Sequence, residues 1–366
     1  MNIKFVDLPL QNKFLKKEIM STIEEVVDEA DFNMGKRLEL FEKKFARFVG
    51  KKYSVGVNSG TDALLLSLKA YGIGRGDEVI TAPNSYFSTA MVILNVGATP
   101  IFADINPQSY TIDPKKIEKV LTAKSKAIIP VHLYGQAADM SEIIKIAKKF
   151  NLVIIEDACQ AQGTTYKGKP VPVSDCGAFS FFPGKNLGAY GDGGLVATDD
   201  RNIYEKLLYL RNDGSKIKYE HNMLGIKSRL DTFQAAILEV KLAYLKKWNT
   251  NRKKNAKLYS TLLKNLPLKQ IPGESLAGHV FQLYVIETQK RNELQKFLLK
   301  RGIETLIHYP IPIHLQKPFR DLGYKEGDFP ITEEKSHHIL SLPMYPELTE
   351  KQIRYIASSI RDFFKK

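Results

Sequence analysis

Cysteine is scarce in this chain, with only Cys159 and Cys176 among 366 residues. Two cysteines are too few for a disulfide framework or a CxxC-type zinc site, so we expect no metal centre. Both also lie among apolar or glycine-rich neighbours, which favour reduced thiols. We therefore expect a protein that works in the reducing cytoplasm.

Long apolar runs are also lacking. No stretch approaches the roughly 18 consecutive apolar residues of a membrane-spanning helix. The N-terminal residues MNIKFVDLPLQNKF lack the basic start and the apolar run of a secretory signal. We expect neither export nor membrane insertion. The hydrophobic fraction of 43% and the charged fraction of 26% are those of an ordinary globular protein.

Acidic residues are outnumbered, with 40 Asp and Glu against 54 Lys and Arg, which leaves a net charge of +14. A nucleic-acid-binding protein concentrates its cations on one face, usually within a recognisable module. Here the cations are dispersed, apart from clusters such as Lys246-Lys247 and Arg252-Lys253-Lys254. We expect no nucleic-acid partner, and we interpret part of the charge as steering phosphate-bearing small molecules.

Short β-branched runs alternate with helical patterns between residues 53 and 200. The runs include YSVGV, DEVITAP, KAIIPVHLY, LVIIEDA and AFSFF. They do not alternate in polarity, which is typical of strands buried on both faces of a mostly parallel sheet with helical crossovers. The pattern predicts an α/β fold built on a central wound sheet.

The second part of the chain has a different pattern. The segment DTFQAAILEVKLAYLKKWNTNRKKNAKLYSTLLKNL has apolar residues at helical spacing over an unusual length, which predicts a long, bent connecting helix. After Pro267 come a strand pattern, a helix, a proline-rich loop and a terminal helix. We predict a large α/β domain over residues 1–240 and a small α+β domain over residues 241–366.

The stretch CGAFSFFPGKNLGAYGDGG suggests a reactive amine. Its buried strand pattern ends at Pro183-Gly184, so that Lys185 lies at the rim of an apolar sheet. Burial disfavours the charged form of lysine and leaves a nucleophilic amine suited to a Schiff base. The alternative is an ordinary solvated loop lysine, which is the more frequent situation for a single lysine taken alone.

Two further segments provide groups that a bound ligand would need. In LVIIEDACQAQG, Asp157 ends a strand and is expected to face the ligand crevice, although it could equally cap a helix. In NSGTDALLLSLKAYG, a strand leads through Ser59-Gly60-Thr61 into a helix, whose free N–H groups suit a phosphate. Capping alone explains such residues in many proteins. Neither the P-loop nor the GxGxxG spacing is present.

Taken together, these motifs resemble the sugar-nucleotide aminotransferases of the DegT/DnrJ/EryC/StrS type, which are pyridoxal-phosphate enzymes of the aspartate-aminotransferase fold class. The resemblance covers nearly the whole chain and rests on ordered matches: MGKRLELFEKKFA, NSGTDAL, GDEVITAPNSYFSTA, EDACQAQG, SFFPGKNLGAYGDGG, SRLDTFQAAIL, IHYPIPIHLQ and LSLPMYPELT. It implies fold type I, with a mostly parallel seven-stranded sheet in the large domain and a smaller α+β C-terminal domain.

The resemblance also implies roles for individual residues. Lys185 matches the lysine that binds pyridoxal phosphate, and Asp157 matches the carboxylate that pairs with the pyridinium nitrogen and keeps the ring an electron acceptor. Gln160 matches the residue beside the ring hydroxyl, and Tyr86 the aromatic side chain that stacks on the ring. Gly60, Thr61 and Ser180 match the phosphate donors.

One position departs from the family pattern. Where the family usually has G-x-N-S-R-L-D, this chain has Gly225-Ile226-Lys227-Ser228-Arg229-Leu230-Asp231. The family's asparagine reaches across a dimer interface to the partner's cofactor phosphate. We expect Lys227 to make that contact with a charge-assisted bond; the alternative is that it points to solvent. A homodimer with shared active sites is implied.

The resemblance implies transfer of an amino group from L-glutamate, through the pyridoxamine form of the cofactor, to a nucleotide-linked keto sugar. The motifs around Lys185 are most similar to members that act on dTDP-3-keto-6-deoxyhexoses. A UDP-linked keto sugar aminated at C3 or C4 is the alternative, and a non-catalytic regulator that keeps the cofactor is a more distant one. The candidate substrate contacts are Asn186, Arg229, His308, Tyr309 and His314; for the histidines, a surface-loop position is the alternative.

Overall fold

The structure, a computed structural model, describes residues 1–271 and 278–365. Its α-helices are α1 (Leu8–Asp28), α2 (Lys36–Phe48), α3 (Gly60–Ala70), α4 (Ser88–Asn95), α5 (Pro114–Val120), α6 (Met140–Phe150), α7 (Arg201–Leu210), α8 (Thr232–Leu263), α9 (Arg291–Lys300), α10 (Pro330–His338) and α11 (Glu350–Phe364). Short 3₁₀ turns cover Leu133–Gly135, Ile313–Leu315 and Lys317–Leu322.

The strands alternate with these helices through the first 200 residues. They are β1 (Tyr53–Val57), β2 (Glu78–Thr81), β3 (Thr99–Phe102), β4 (Ser125–Ile129), β5 (Val153–Asp157), β6 (Thr165–Tyr166), β7 (Lys169–Pro170), β8 (Cys176–Ser180), β9 (Gly194–Thr198), β10 (Ser215–Ile217), β11 (Glu220–His221), β12 (Lys269–Ile271), β13 (Tyr284–Glu287) and β14 (Ile339–Leu342).

Seven strands form the central sheet in the order β1-β9-β8-β5-β4-β2-β3. The pairs among β8, β5, β4, β2 and β3 are parallel, whereas β9 runs antiparallel to both β8 and β1. Apolar clusters cover both faces, which is why the strand segments are continuously apolar. The predicted α/β class and mostly parallel seven-stranded sheet are confirmed.

Helix α3 shows how the sequence fixes an element of the site. The Ser59 side chain accepts the backbone N–H of Asp62 at 3.1 Å and caps the helix. Buried leucines of α3 pack on the sheet between β1 and β8. The start of α3 is thereby held at the carboxyl end of β1, with its first N–H groups free of helical partners.

The long helix predicted after residue 230 is α8, which has 32 residues. Its first half packs in the core that includes Leu38 and Phe41 of α2. Its last turns pack with Ile353 and Ile356 of α11, next to the three-stranded sheet β12-β13-β14. The predicted domain boundary at residues 240 and 241 lies inside this helix, so one continuous helix takes part in both cores.

Among the described residues, no helix is both long enough and apolar enough to cross a membrane.

Candidate functional site

The carboxyl ends of the central parallel strands open onto one cavity of about 610 Å³. Strand β5 ends at Asp157, β8 ends at Ser180, and Lys185 follows in the next turn. All three residues line the cavity. Open α/β sheets bind their ligands at this edge, so topology alone makes it the candidate site.

Lys185 lies in the tight turn that follows β8. Its backbone N–H donates to the carbonyl of Phe182 at 2.9 Å. Burial lowers the pKa of the Lys185 amine, and Cys159 and Asp157 oppose that effect without cancelling it. The amine therefore loses its proton more readily than an exposed lysine would, as a nucleophile or a proton carrier requires.

Helix α8 holds the loop that carries Lys185. Asn186 donates from Nδ2 to Oδ1 of Asn249 at 2.8 Å. Lys241 is 1% exposed, donates from Nζ to the carbonyl of Gly188, and lies 4.9 Å from the centre of the Tyr190 ring. The sequence predicts that Asn186 contacts substrate. It is 2% exposed and does not line the cavity, so its side chain anchors the loop instead.

Asp157 is fixed by two donors at the end of β5. The Thr89 hydroxyl donates to Oδ2 at 2.8 Å, and the backbone N–H of Cys159 donates to Oδ1 at 3.1 Å. Ser85 lies 2.8 Å from the Thr89 hydroxyl and extends the network. Asp157 is 4% exposed, so this arrangement holds a carboxylate in one orientation inside the cavity.

Gln160, a predicted cofactor contact, links Tyr134 to the C-terminal part of the chain. Its Oε1 accepts the backbone N–H of Tyr134 at 2.7 Å, and its Nε2 donates to the Tyr309 hydroxyl at 3.0 Å. Gln160 and Tyr309 both line the cavity. Gln160, the predicted cofactor contact, and Tyr309, the predicted substrate contact, are therefore hydrogen-bonded to each other.

The predicted phosphate donors meet at the start of α3. Gly60, Thr61 and Ser180 all line the cavity. A Cβ at Gly60 would lie 2.7 Å from Cβ of Ser180 and 2.8 Å from Sγ of Cys159. A Cβ at Gly194 would lie 2.2 Å from the Ser59 carbonyl oxygen. Only glycine fits at both positions, because the start of α3 packs closely against the ends of β8 and β9 there.

Tyr86 lies at the cavity wall between β2 and α4. Its side chain is 58% exposed, and its ring centre is 6.0 Å from that of Tyr309. This exposure leaves the ring accessible to a ligand in the cavity. Its stacking on a cofactor ring stays a prediction.

His308 and Tyr309 are the predicted substrate contacts that line the cavity. The Nδ1 atom of His308 lies 2.9 Å from the Ser341 hydroxyl, and the His308 carbonyl accepts the Tyr134 hydroxyl at 2.5 Å. Burial, together with the nearby Lys185, lowers the pKa of His308 to about 4. His308 is therefore a neutral imidazole at physiological pH.

His314 and Arg229 lie elsewhere and do not line the cavity. His314 is 1% exposed, and its Nε2 is 3.0 Å from Oε1 of Glu333, so it is neither a cavity residue nor a surface-loop histidine. Arg229 donates to Oδ1 of Asn212. Each side chain bonds another residue of this chain, which argues against the predicted substrate contacts.

Lys227 is exposed and does not line this chain's cavity. Its Nζ lies 3.7 Å from a carboxylate oxygen of Asp213, and the backbone pairs with Asn212. The side chain is 69% exposed, so it is free to reach another molecule. Its predicted contact with a partner's phosphate stays a prediction.

Several cavity residues were not predicted from the sequence. They include Phe5, Val6, Ser85, Thr89, Asp192 and Gln282. Thr89 could have been found from the sequence, because it lies in the same NSYFSTA motif as Tyr86. Phe5 has no comparable signal, since it precedes α1 and reaches the cavity through contacts with residues 302–308.

The donor set fits pyridoxal phosphate. The fixed Asp157 carboxylate suits a protonated ring nitrogen, and the glycine cradle at the start of α3 suits the phosphate. The Lys185 amine, whose pKa is lowered by desolvation, suits covalent attachment to the aldehyde. These three features lie on one cavity.

Comparisons with known proteins agree with this geometry. The model of the DegT/DnrJ/EryC1/StrS aminotransferase family matches residues 13–361. The chain is 46% identical to a Geobacillus stearothermophilus protein named pleiotropic regulatory protein, over 100% of this chain and 99% of the relative. Among solved structures, Streptomyces venezuelae DesV in complex with a ketimine intermediate superposes with a TM-score of 0.98 at 39% identity, covering 100% of this chain and 99% of that one.

Two further relatives carry the names of specific activities. The dTDP-3-amino-3,6-dideoxy-α-D-galactopyranose transaminase of Aneurinibacillus thermoaerophilus is 42% identical over 99% of both chains. The UDP-N-acetyl-3-dehydro-α-D-glucosamine 3-aminotransferase of Acidithiobacillus ferrooxidans is 43% identical over 98% of this chain and 97% of the relative.

Proposed function

Because the chain belongs to the DegT/DnrJ/EryC1/StrS aminotransferase family, it is a pyridoxal-phosphate-dependent sugar-nucleotide aminotransferase, and we propose a specific reaction for it. The amino group moves from L-glutamate to C3 of a dTDP-linked 3-keto-6-deoxyhexose, and the product is the 3-amino-3,6-dideoxy sugar nucleotide. The two free cysteines support a cytoplasmic location.

The observation that carries the proposal is the joint position of Lys185 and Asp157 in one cavity. Burial lowers the pKa of the Lys185 amine, and Asp157 is held by Thr89 and by a backbone N–H. Related family members that dehydrate sugars carry histidine in place of the lysine. The lysine in this chain therefore favours transamination.

Bound pyridoxal phosphate supplies an electron sink for the bond that breaks at the donor's α-carbon. The chain's residues do the rest. Lys185, once released as a free amine, would carry the proton between the donor's α-carbon and the cofactor. Asp157 would keep the ring nitrogen protonated, and the backbone N–H of Tyr134 fixes the Gln160 side chain that would lie beside the ring hydroxyl. In the second half-reaction Lys185 moves the proton in the opposite direction.

The choice of keto sugar rests on two kinds of support. The motifs PGKNLGAYGD, EDACQAQG and HYPIPIHLQ are most similar to those of dTDP-3-keto-6-deoxyhexose aminotransferases. The A. thermoaerophilus relative is named for that product class at 42% identity. The A. ferrooxidans relative is named for a UDP-linked 3-keto sugar at 43% identity, so overall identity does not separate the two nucleotides.

One experiment tests the substrate directly. The protein is first converted with L-glutamate, and the resulting pyridoxamine form is incubated separately with dTDP-linked and UDP-linked 3-keto and 4-keto sugars. We expect the dTDP-linked 3-keto-6-deoxyhexose to give an amino sugar, identified by mass spectrometry and NMR. Turnover of a UDP-linked sugar alone, or amination at C4, would contradict the proposal.

We also propose a homodimer in which Lys227 completes the partner's phosphate site. The exposed Lys227 side chain and its place in the SRLD motif support this assignment. Lys227→Ala should then weaken retention of pyridoxal phosphate during dialysis, whereas Lys218→Ala, a substitution in the nearby hairpin, should not. Equal retention in both variants would show that Lys227 faces solvent. An active monomer by light scattering would refute the shared site.

A regulatory role is the second candidate, favoured by the name of the G. stearothermophilus relative, pleiotropic regulatory protein. The discriminating test is a gel-shift assay with duplex DNA at physiological salt. We expect no retardation, because the cations of this chain are dispersed rather than gathered in a recognisable module. Specific retardation would support regulation.

A further inference from the structure

Four aromatic rings form a continuous row along the cavity wall. Phe5 stacks on His308 with ring centres 5.8 Å apart, His308 lies 5.5 Å from Tyr309, and Tyr309 lies 6.0 Å from Tyr86. All four line the cavity. The row is anchored beside the cofactor residues because Gln160 donates to the Tyr309 hydroxyl. Phe5 is the end of the row that lies two rings away from Tyr309 and its bond to Gln160.

Phe5 belongs to a short N-terminal strap, residues 3–7, that precedes helix α1. The strap is fixed to the C-terminal part of the chain: the Ile3 N–H donates to the Gly302 carbonyl at 2.7 Å, and the Glu304 N–H donates to the Ile3 carbonyl at 3.0 Å. The Phe5 N–H donates to a Glu304 carboxylate oxygen at 2.9 Å. Ile3 is fully buried, so the strap is a fixed wall of the cavity.

The side chains that line the cavity at the Phe5 end are uncharged, since the Glu304 carboxylate bonds the Phe5 backbone without lining the cavity. Val6 and Leu306 line the cavity beside Phe5, and His308 is neutral because burial lowers its pKa to about 4. Within the described part of the chain, the charged residues of the lining are Asp157, Lys185 and Asp192. None of these belongs to the strap or to residues 304–309.

From this arrangement we propose that Phe5, Val6 and Leu306 form the subsite for C6 of the keto sugar and select a methyl group there. This proposal rests on the proposed function and deepens it, because it assigns the 6-deoxy preference to named residues. An apolar methyl group packs on the Phe5 ring and leaves water. A C6 hydroxyl would lose hydrogen bonds to water there, and the side chains of Phe5, Val6 and Leu306 offer it none in return.

The expected selectivity follows from the limits of apolar pockets. Such a pocket rejects a substrate with one additional hydroxyl by about 100-fold in kcat/KM. We therefore expect the wild-type second half-reaction to favour a dTDP-3-keto-6-deoxyhexose over its 6-hydroxy counterpart by about that factor. A side chain at position 5 that can bond the hydroxyl should lower the ratio toward unity.

The experiment measures this ratio in wild type, Phe5→Ser and Phe5→Leu, each loaded with pyridoxamine phosphate by prior reaction with glutamate. Comparing two sugars on one variant cancels any general loss of folding or loading. Phe5→Ser should bring the ratio toward unity, and Phe5→Leu should keep it. Phe14→Ser is the matched control, because Phe14 is 71% exposed on α1 and does not line the cavity.

A second readout is independent of turnover. Calorimetric titration should give a lower dissociation constant for dTDP-6-deoxyglucose than for dTDP-glucose in wild type, and similar constants in Phe5→Ser. Equal use of both sugars by wild type, or an unchanged ratio in Phe5→Ser, would overturn the subsite. If neither dTDP-linked sugar is aminated while glutamate still reacts, the proposed dTDP-linked substrate is wrong. The same ratio measured with the UDP-linked pair of sugars then tests the subsite formed by Phe5, Val6 and Leu306.

Discussion

Replacing Thr89 by valine tests the support of the proposed cofactor contact. The substitution keeps the side chain's shape and removes the hydroxyl that donates to Oδ2 of Asp157 at 2.8 Å. Thr89 is 1% exposed and Asp157 is 4% exposed, so water cannot easily take the place of this donor. Asp157 would keep one donor, the backbone N–H of Cys159.

The size of the expected rate loss follows from the fact that the acceptor of this hydrogen bond, Asp157, is a carboxylate. A hydrogen bond to a charged group contributes about 1.5–3 kcal/mol. At about 1.4 kcal/mol for each factor of ten, kcat/KM for glutamate should fall by roughly 10-fold to 150-fold. Because Thr89 acts through Asp157, the visible absorbance of the bound cofactor should also change its dependence on pH.

The assay compares three variants by stopped-flow absorbance of the glutamate half-reaction. Thr89→Ser keeps a hydroxyl and should stay near wild type. Ser85→Ala removes a hydroxyl bonded to Thr89 but not to Asp157, so it should have a smaller effect than Thr89→Val. If Thr89→Val matched wild type in both rate and spectrum, the bond to Asp157 would have no role in the reaction.

Three further predictions concern Lys185, the Lys241 side chain that holds its loop, and Gly194 beside the start of α3. Lys185→Ala should abolish transamination and leave the circular dichroism spectrum unchanged; residual turnover would remove Lys185 from its proposed role. Burial lowers the pKa of Lys241 from 10.5 to about 8, which corresponds to about 3 kcal/mol. Below about pH 8 the folded state must bury a charged amine, and this cost disappears as pH rises toward 10.5. In urea melts, wild type should therefore gain stability relative to Lys241→Met between about pH 7 and about pH 10. A constant difference in stability between the two proteins would contradict the burial argument. Gly194→Ala should destabilise the fold by about 1–3 kcal/mol or more and release cofactor, because the new Cβ would lie 2.2 Å from the Ser59 carbonyl oxygen; Gly74→Ala, whose Cβ would meet its nearest neighbour at 3.4 Å, is the control that should leave both properties unchanged.

The fold could be predicted because its signals are local and repeated. Continuous apolar strand segments separated by helical patterns specify a mostly parallel sheet, and the 32-residue helix α8 follows from its apolar spacing. The joint position of Lys185 and Asp157 follows from topology, because both lie after strands whose carboxyl ends share one edge.

The direction of individual side chains could not be predicted in the same way. Asn186 is adjacent to Lys185 in sequence, yet its amide turns away from the cavity to bond Asn249, 63 residues later. His314 lies in the same proline-rich segment as His308, but it pairs with Glu333 of α10. Neighbours in sequence point to different places when the chain turns sharply, and only packing decides which one faces the ligand.

Contacts between segments that are distant along the chain also could not be predicted from the sequence. Phe5 reaches His308 only because the strap pairs with residues 302–304, and a bridge of this kind has no periodic signature. Thr89 reaches Asp157 across 68 residues because α4 starts beside the end of β5. Both contacts depend on how elements pack, which a pattern along the chain does not record.

The central claim is that Lys185 is the residue that binds the cofactor and moves the proton. Borohydride reduction of the holoenzyme locks pyridoxal phosphate onto the amine to which it is bonded, and peptide mass spectrometry then locates it. We predict that the added mass lies on Lys185 and that it is lost when the enzyme is treated with glutamate before reduction. A cofactor fixed to another lysine, or no fixed cofactor in a yellow protein, would contradict this account.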